Sequence, residues 1–201
     1  MKHGYFWLKR LHSFSGLILS VAFVLCFLIP NSAIFSGAQN YNLFALISEK
    51  IPLINELEFV LIFLPLIFHA AFGLSFVYNS QFNILAYGTY RNWMYTLQRF
   101  TGILIIPFLA YHIYATRVVF AFSDKYADYS YMQKILAPTW VKIFYMIGIF
   151  STAFHIGNGI SSALAKWGIT ISNHSRDVVS MTMWGMTLVI MLWGFAIVLA
   201  F

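Results

Sequence analysis

The sequence predicts an all-α membrane protein, a bundle of five transmembrane helices in a single domain over residues 1–201. Three observations predict it. Only 9% of the 201 residues are charged and 61% are hydrophobic, whereas a soluble domain carries about 25% charged residues. The charges also leave five long gaps. None falls between Arg10 and Glu49, Glu58 and Arg91, Arg99 and Arg117, Lys142 and Lys166, or Asp177 and the C-terminus. Each gap holds about the 20 apolar residues that a helix needs to cross a bilayer.

Trimming polar and turn residues from these gaps places the helices near 11–30, 58–79, 96–119, 141–164 and 179–200. The first follows Lys9 and Arg10 as a signal peptide would, but its apolar run is long and no small-x-small cleavage site closes it. It is read as a retained helix. The single cysteine, Cys26, lies in this apolar stretch and excludes an intrachain disulfide. The net charge of +6 is scattered. It suits a membrane face and no nucleic acid. With the N-terminus inside, Lys2, Lys9, Arg10, Arg91, Arg99, Lys166 and Arg176 lie on the inner side; Lys50, Arg117, Lys125, Lys134 and Lys142 lie outside. This bias predicts a cytoplasmic N-terminus and an external C-terminus.

The chain repeats itself at an offset of 86 residues. "WLKRLHSFSGLI" (7–18) lies over "WMYTLQRFTGIL" (93–104), and His69 with Gly73 lands on His155 with Gly159. Matching Trp, Gly and His at one offset indicates a duplicated two-helix unit: helices 1–2 and 3–4 correspond, and helix 5 stands alone.

Six histidines are present. His3 and His174 belong to polar ends and are expected to be solvated. His12 stands beside Arg10 and Ser13 at the inner end of helix 1. His69, His112 and His155 each sit inside an apolar helix, where an imidazole needs a partner or a function. His69 is ten residues before Asn79 and His155 eleven before Lys166, so both lie about 15–17 Å from the inner boundary. Two ligands at equal depth on helices of the same sense can hold one flat macrocycle from both faces. Gly73 and Gly159, four residues on, share the ligand face and would clear space for the macrocycle edge. Zinc is the competing metal, but it needs three or four ligands, and no carboxylate lies inside a span. Iron in a porphyrin asks the protein for two axial nitrogens. His69 and His155 are therefore the expected haem ligands.

"RLHSFSG" (10–16), "IFLPLIFHAAFG" (62–73), "RNWMYTLQRFTGI" (91–103), "STAFHIGNG" (151–159) and "WGIT" (167–170) together resemble the five-helix cytochrome b membrane-anchor subunit of succinate:menaquinone oxidoreductases and fumarate reductases. The resemblance runs almost end to end. It implies a bacterial cytoplasmic-membrane location and flavoprotein and iron–sulfur partners on the cytoplasmic side. It also implies electron transfer to menaquinone or another quinone, with no succinate chemistry in this chain. Two b haems are implied: an inner one at the positions of His69 and His155, and an outer one at His112 and a histidine on helix 1. That second histidine is missing. By the 86-residue offset the counterpart of His112 is Cys26; by the family's spacing it is Phe27.

Quinone contacts are sought among hydrogen-bonding groups near the membrane edges: His12, Ser13 and Arg99 inside, Tyr111 and Arg117 outside. Arg99 and Arg117 are alternatively snorkelling helix ends or partners of haem propionates. Two other classes stay open at the level of residues: a cytochrome b subunit of a hydrogenase or formate dehydrogenase, and a haem-free anchor or transporter.

Overall fold

A computed structural model describes residues 2–123 and 125–201, with side chains from residue 5 onward. The side chain of His3 lies outside the described residues; His174 is exposed. Among the described residues there are helices and turns and no strand.

Five helices are long and apolar enough to cross a membrane. Helix α1 (Lys2–Ala22) continues through a π-helical stretch, Phe23–Leu28, and a turn, Ile29–Asn31, into the 3₁₀ turn Ser32–Ser36. Helix α3 begins at Ile54–Glu58, passes through a π-helical stretch, Phe59–Phe63, and runs on as Leu64–Tyr78. Helices α4 (Tyr90–Thr116), α6 (Thr139–Lys166) and α7 (Asn173–Ala200) are the other spans. Two short helices lie in the connections, α2 (Ala38–Glu49) between α1 and α3, and α5 (Tyr129–Leu136) between α4 and α6.

The two π-helical stretches share a cause. Proline has no N–H, and its ring collides with the carbonyl four residues back. Pro30 stands four residues after Cys26 and Pro65 four after Leu61, inside the two stretches. The chain widens to i→i+5 bonding there, with Ile29 N–H donating to Val24 O and Leu64 N–H to Phe59 O. The extra residue re-aims everything beyond it on α1.

The helices run further than the charge gaps suggest. Helix α4 starts at Tyr90 and α7 at Asn173, because Thr89 and Ser172 cap them. Their polar first turns are helical while lying beyond the apolar stretch. Helix α6 ends where Gly168, at φ 75°, turns the chain back and lets Ile169 N–H reach Leu164 O at 2.9 Å.

Four spans pack in a ring, α1 on α3, α3 on α4, α4 on α6 and α6 on α1, and α7 lies along α6. Helices α3 and α6 are thus one diagonal and α1 and α4 the other. Helix α6 is the most buried and α3 the least. Leu61, Leu64 and Ile67 of α3 point outward and are exposed, as a lipid-facing surface should be. Small residues bring α6 close to its neighbours: Gly148 lies under Phe108 of α4, Gly157 against Thr187 of α7, and Gly194 of α7 against Ile149.

The two ends of the bundle differ. At the C-terminal end, α2 and α5 fold over the spans. Asn42 Oδ1 accepts from Tyr129 N–H at 2.7 Å, Tyr131 OH donates to Ala115 O at 2.9 Å, and Phe201 packs on the rings of Tyr41 and Tyr129. Burial first, and the Asp128 carboxylate second, push the Tyr41 phenol up to about 12, so it stays a donor to Asn31 Oδ1 at 3.3 Å. At the N-terminal end the connections are bare. Phe82, Leu85, Tyr87, Ile169 and Ile171 are exposed.

Candidate functional site

His69 on α3 and His155 on α6 face each other across the first diagonal. Their ring centres are 6.1 Å apart and the planes meet at 79°. The Nδ1 of His69 is 3.0 Å from His12 O, and the Nδ1 of His155 is 3.1 Å from Gln98 O. A carbonyl can only accept, so each Nδ1 carries the hydrogen and each Nε2 is left with its lone pair. Hydroxyls complete both settings: Ser15 Oγ lies 3.2 Å from His69 Nδ1, and Thr101 Oγ1 lies 3.5 Å from His155 Nδ1. The matching positions, 12 with 98, 15 with 101 and 69 with 155, are each 86 residues apart.

Glycines make room for these rings. A Cβ on Gly16 would lie 2.7 Å from His69 Cε1, and one on Gly102 would lie 3.1 Å from His155 Cε1. Gly73 and Gly159 lie beside neighbouring side chains: their added Cβ atoms would meet His12 Cε1 at 3.4 Å and Gln98 Nε2 at 3.3 Å. Gln98 in turn donates to His155 O at 3.0 Å and accepts from Asn158 Nδ2 at 2.7 Å, so α4 and α6 are tied beside the imidazole.

His12 also belongs to this site. Its ring stacks on His69, with centres 4.0 Å apart and planes within 12°, and its Nδ1 is buried without a hydrogen-bond partner. Ser13 is half-buried on the neighbouring turn; the serine that reaches the site is Ser15.

The same end of the bundle holds cations that, among the described residues, form no ion pair with a carboxylate. Arg99 stacks on Tyr95, with Cζ 3.3 Å from the ring centre, donates to Tyr95 O at 2.9 Å, and keeps a buried Nε unpartnered. Arg10 lies over Phe6 and Trp167, and Lys9 over Tyr5. Aromatic faces hold these heads at the membrane edge.

A prosthetic group that needs two axial nitrogens and has acidic side arms fits this setting. With a metal–nitrogen bond of about 2 Å and roughly 1 Å from that nitrogen to the ring centre, two imidazoles flanking one metal have centres roughly 6 Å apart. Both lone pairs are set by the backbone, and Arg99 offers an orphaned N–H. No group of three or more His, Cys, Asp or Glu side chains able to hold a metal ion comes together among the described residues.

The second diagonal holds a related arrangement with one member changed. Phe27 on α1 faces His112 on α4, with ring centres 6.0 Å apart at 66°. Cys26 is exposed. Phe27, then, occupies the place opposite His112, and the π-helical stretch carries it there. His112 Nδ1 lies 3.3 Å from Tyr145 OH, and Tyr111 packs edge-on against Phe144 and Tyr145. Arg117 pairs with Glu49 and Glu58, which engage both of its terminal nitrogens. Glu58 falls within the span Ile54–Tyr78, where the charge gaps had set it at the boundary.

Sequence reasoning missed Ser15, Gly16, Gln98, Thr101, Gly102, Tyr145 and Asn158. The first five were in plain view inside the two aligned segments, where Ser/Thr and Gly/Gly matched around the histidine offset.

The family model for the succinate dehydrogenase/fumarate reductase transmembrane subunit matches residues 79–195. The chain is also similar to a protein of Bacillus subtilis (strain 168) described as succinate dehydrogenase cytochrome b558 subunit. The identity is 34% over 173 residues, which cover 86% of this chain and 85% of that one. Five apolar spans, a pair of half-buried histidines facing across a bundle diagonal, and both similarities agree: the chain belongs to the transmembrane cytochrome b subunits of succinate dehydrogenase and fumarate reductase.

Proposed function

We propose that this chain anchors a succinate:quinone oxidoreductase in the bacterial cytoplasmic membrane and carries its electrons through a haem b held by His69 and His155. The observation that supports this best is the facing imidazole pair, each with Nδ1 on a backbone carbonyl and Nε2 free. When bound, haem b supplies one-electron carriage. The chain's residues do the rest. The carbonyls of His12 and Gln98 fix the tautomers, Gly16 and Gly102 leave room for the rings, and Arg99 stands ready for an acidic side arm. His12 shields one face of His69.

The flavoprotein and iron–sulfur subunits would dock on the N-terminal end, on the cytoplasmic side. The exposed Phe82, Leu85, Tyr87, Ile169 and Ile171 on its two connections form an apolar surface that water would otherwise wet. The correspondence at 86 residues supports an ancestral duplication of a two-helix unit. Quinone, menaquinone or another, is the electron acceptor or donor in the membrane.

A reduced-minus-oxidised visible spectrum of the purified protein tests this reading. We expect b-type bands, and co-purification with a flavoprotein and an iron–sulfur protein. A spectrum without b-type bands would overturn it.

A further inference from the structure

The second diagonal lines a cavity in the C-terminal half of the bundle. About 660 Å³ of space, part of it open to the outside, lies between Phe23 and Phe27 of α1, Phe108 and His112 of α4, Tyr145 of α6 and Ile197 of α7. Helix α5 closes one side with Met132 and Leu136. Its lining is apolar with a few polar groups, which is how small-molecule sites recognise a largely apolar ligand.

Three features separate it from the site at His69 and His155. First, the ring opposite His112 is Phe27, at the spacing that the two histidines keep, 6.0 against 6.1 Å. A phenyl ring offers a stacking face and no ligand atom. Second, the Nδ1 partner of His112 is the hydroxyl of Tyr145, which can donate as well as accept. When Tyr145 donates to Nδ1, the hydrogen sits on Nε2, and His112 becomes a hydrogen-bond donor. The carbonyls at His69 and His155 forbid that state. Third, no charged residue lines the cavity among the described residues. The nearby Arg117 has both terminal nitrogens engaged by Glu49 and Glu58. An acidic ligand would meet those two carboxylates and, among the described lining residues, no cation. The ligand that fits is neutral, flat and apolar, with an oxygen that accepts a hydrogen bond.

We propose that this cavity binds the ring of a membrane quinone, stacked by Phe27 and held by a hydrogen bond from His112 that Tyr145 orients, and that it holds no second haem. The inference rests on the reading that this chain exchanges electrons with quinone.

The test uses the purified complex and an azido-substituted short-chain 1,4-naphthoquinone. The probe is photolysed, the labelled peptides are mapped, and unlabelled short-chain naphthoquinone serves as competitor. Label should fall in peptides of α1, α4 and α6 around Phe27, His112 and Tyr145. Removing one hydrogen bond to a bound ligand should weaken competition about tenfold in His112→Leu. Tyr145→Phe should weaken it several-fold, and Phe27→Trp, which fills the slot, should abolish labelling. Haem content should be the same in all three variants. If His112→Leu fails to assemble, the wild-type labelling pattern and Phe27→Trp still decide. Labelling elsewhere, or unchanged affinity in His112→Leu, overturns the proposal. So does a haem that is lost with His112 while another stays with His69. Absence of all haem with labelling intact would instead overturn only the electron-transfer reading above.

Discussion

His155 stands edge-on to His69 across the diagonal of the bundle, 6.1 Å between ring centres, with the two Nδ1 atoms turned away onto the carbonyls of Gln98 and His12. Two helices that are not neighbours in the ring thereby bring one imidazole each to the same place. Three residues of each aligned segment set the geometry: the one whose carbonyl accepts the Nδ1 hydrogen, the hydroxyl and the glycine.

The glycines give a test in which two effects oppose each other. Alanine at a mid-helix glycine favours the helix by about 0.5–1 kcal/mol. At Gly16 the added Cβ would press on His69 Cε1 at 2.7 Å, and overpacking of this kind costs about 1–3 kcal/mol. Contact should win. Gly16→Ala should lower haem occupancy, and Gly102→Ala, with 3.1 Å available, should lower it less. Haem titration of both variants checks the order; equal or raised occupancy in Gly16→Ala would count against the packing.

The hydroxyls should matter modestly. Ser15 and Thr101 share each imidazole N–H with a carbonyl that no side-chain substitution removes. A neutral hydrogen bond contributes about 1 kcal/mol, so Ser15→Ala or Thr101→Ala should weaken haem retention by roughly fivefold. The effect should be larger at Ser15, whose oxygen is nearer. Release of haem to apomyoglobin measures it.

Arg117 is assigned a structural part, holding α2 and α3 against the end of α4 through Glu49 and Glu58. Arg117→Gln leaves two carboxylates facing one another. The site is about one-third exposed at Arg117, so the loss should fall below the 3–5 kcal/mol of a fully buried pair, at about 1–3 kcal/mol. Adding Glu58→Gln should recover part of it. Thermal unfolding in detergent reads both, and haem content should not change in either.

Much of the fold was legible because bilayers impose a simple rule. Charge-free gaps mark spans, and the five gaps became five helices. Helices α2 and α5 were not legible, since both are short, and α2 lies inside the same charge-free gap that the first span occupies. Pro30 and Pro65 were visible, but their consequence, widened turns that aim Phe27 at His112, depends on backbone geometry. His69 and His155 stood out by depth. His12 did not, because it lies close to Lys9 and Arg10 at the charged start of the span, whereas its neighbour in space is the ring of His69. The partners of Arg117 lie 68 and 59 residues away, beyond any local pattern.

Sidedness follows from single-cysteine labelling. Leu85 and Phe122 are fully exposed at opposite ends of the bundle. In a Cys26→Ala background, and with the chain in the membrane without its soluble partners, Leu85→Cys should react with a membrane-impermeant thiol reagent only from the cytoplasmic side, and Phe122→Cys only from outside. The reverse pattern would invert the proposed orientation and move the docking face.

Haem per polypeptide in the purified complex, measured for the wild type and for His69→Ala and His155→Ala, tests the imidazole pair most directly. The wild type should hold about one low-spin b haem with two histidine ligands, and each variant should lose it. Full haem content in either variant would contradict the assignment of His69 and His155 as its ligands.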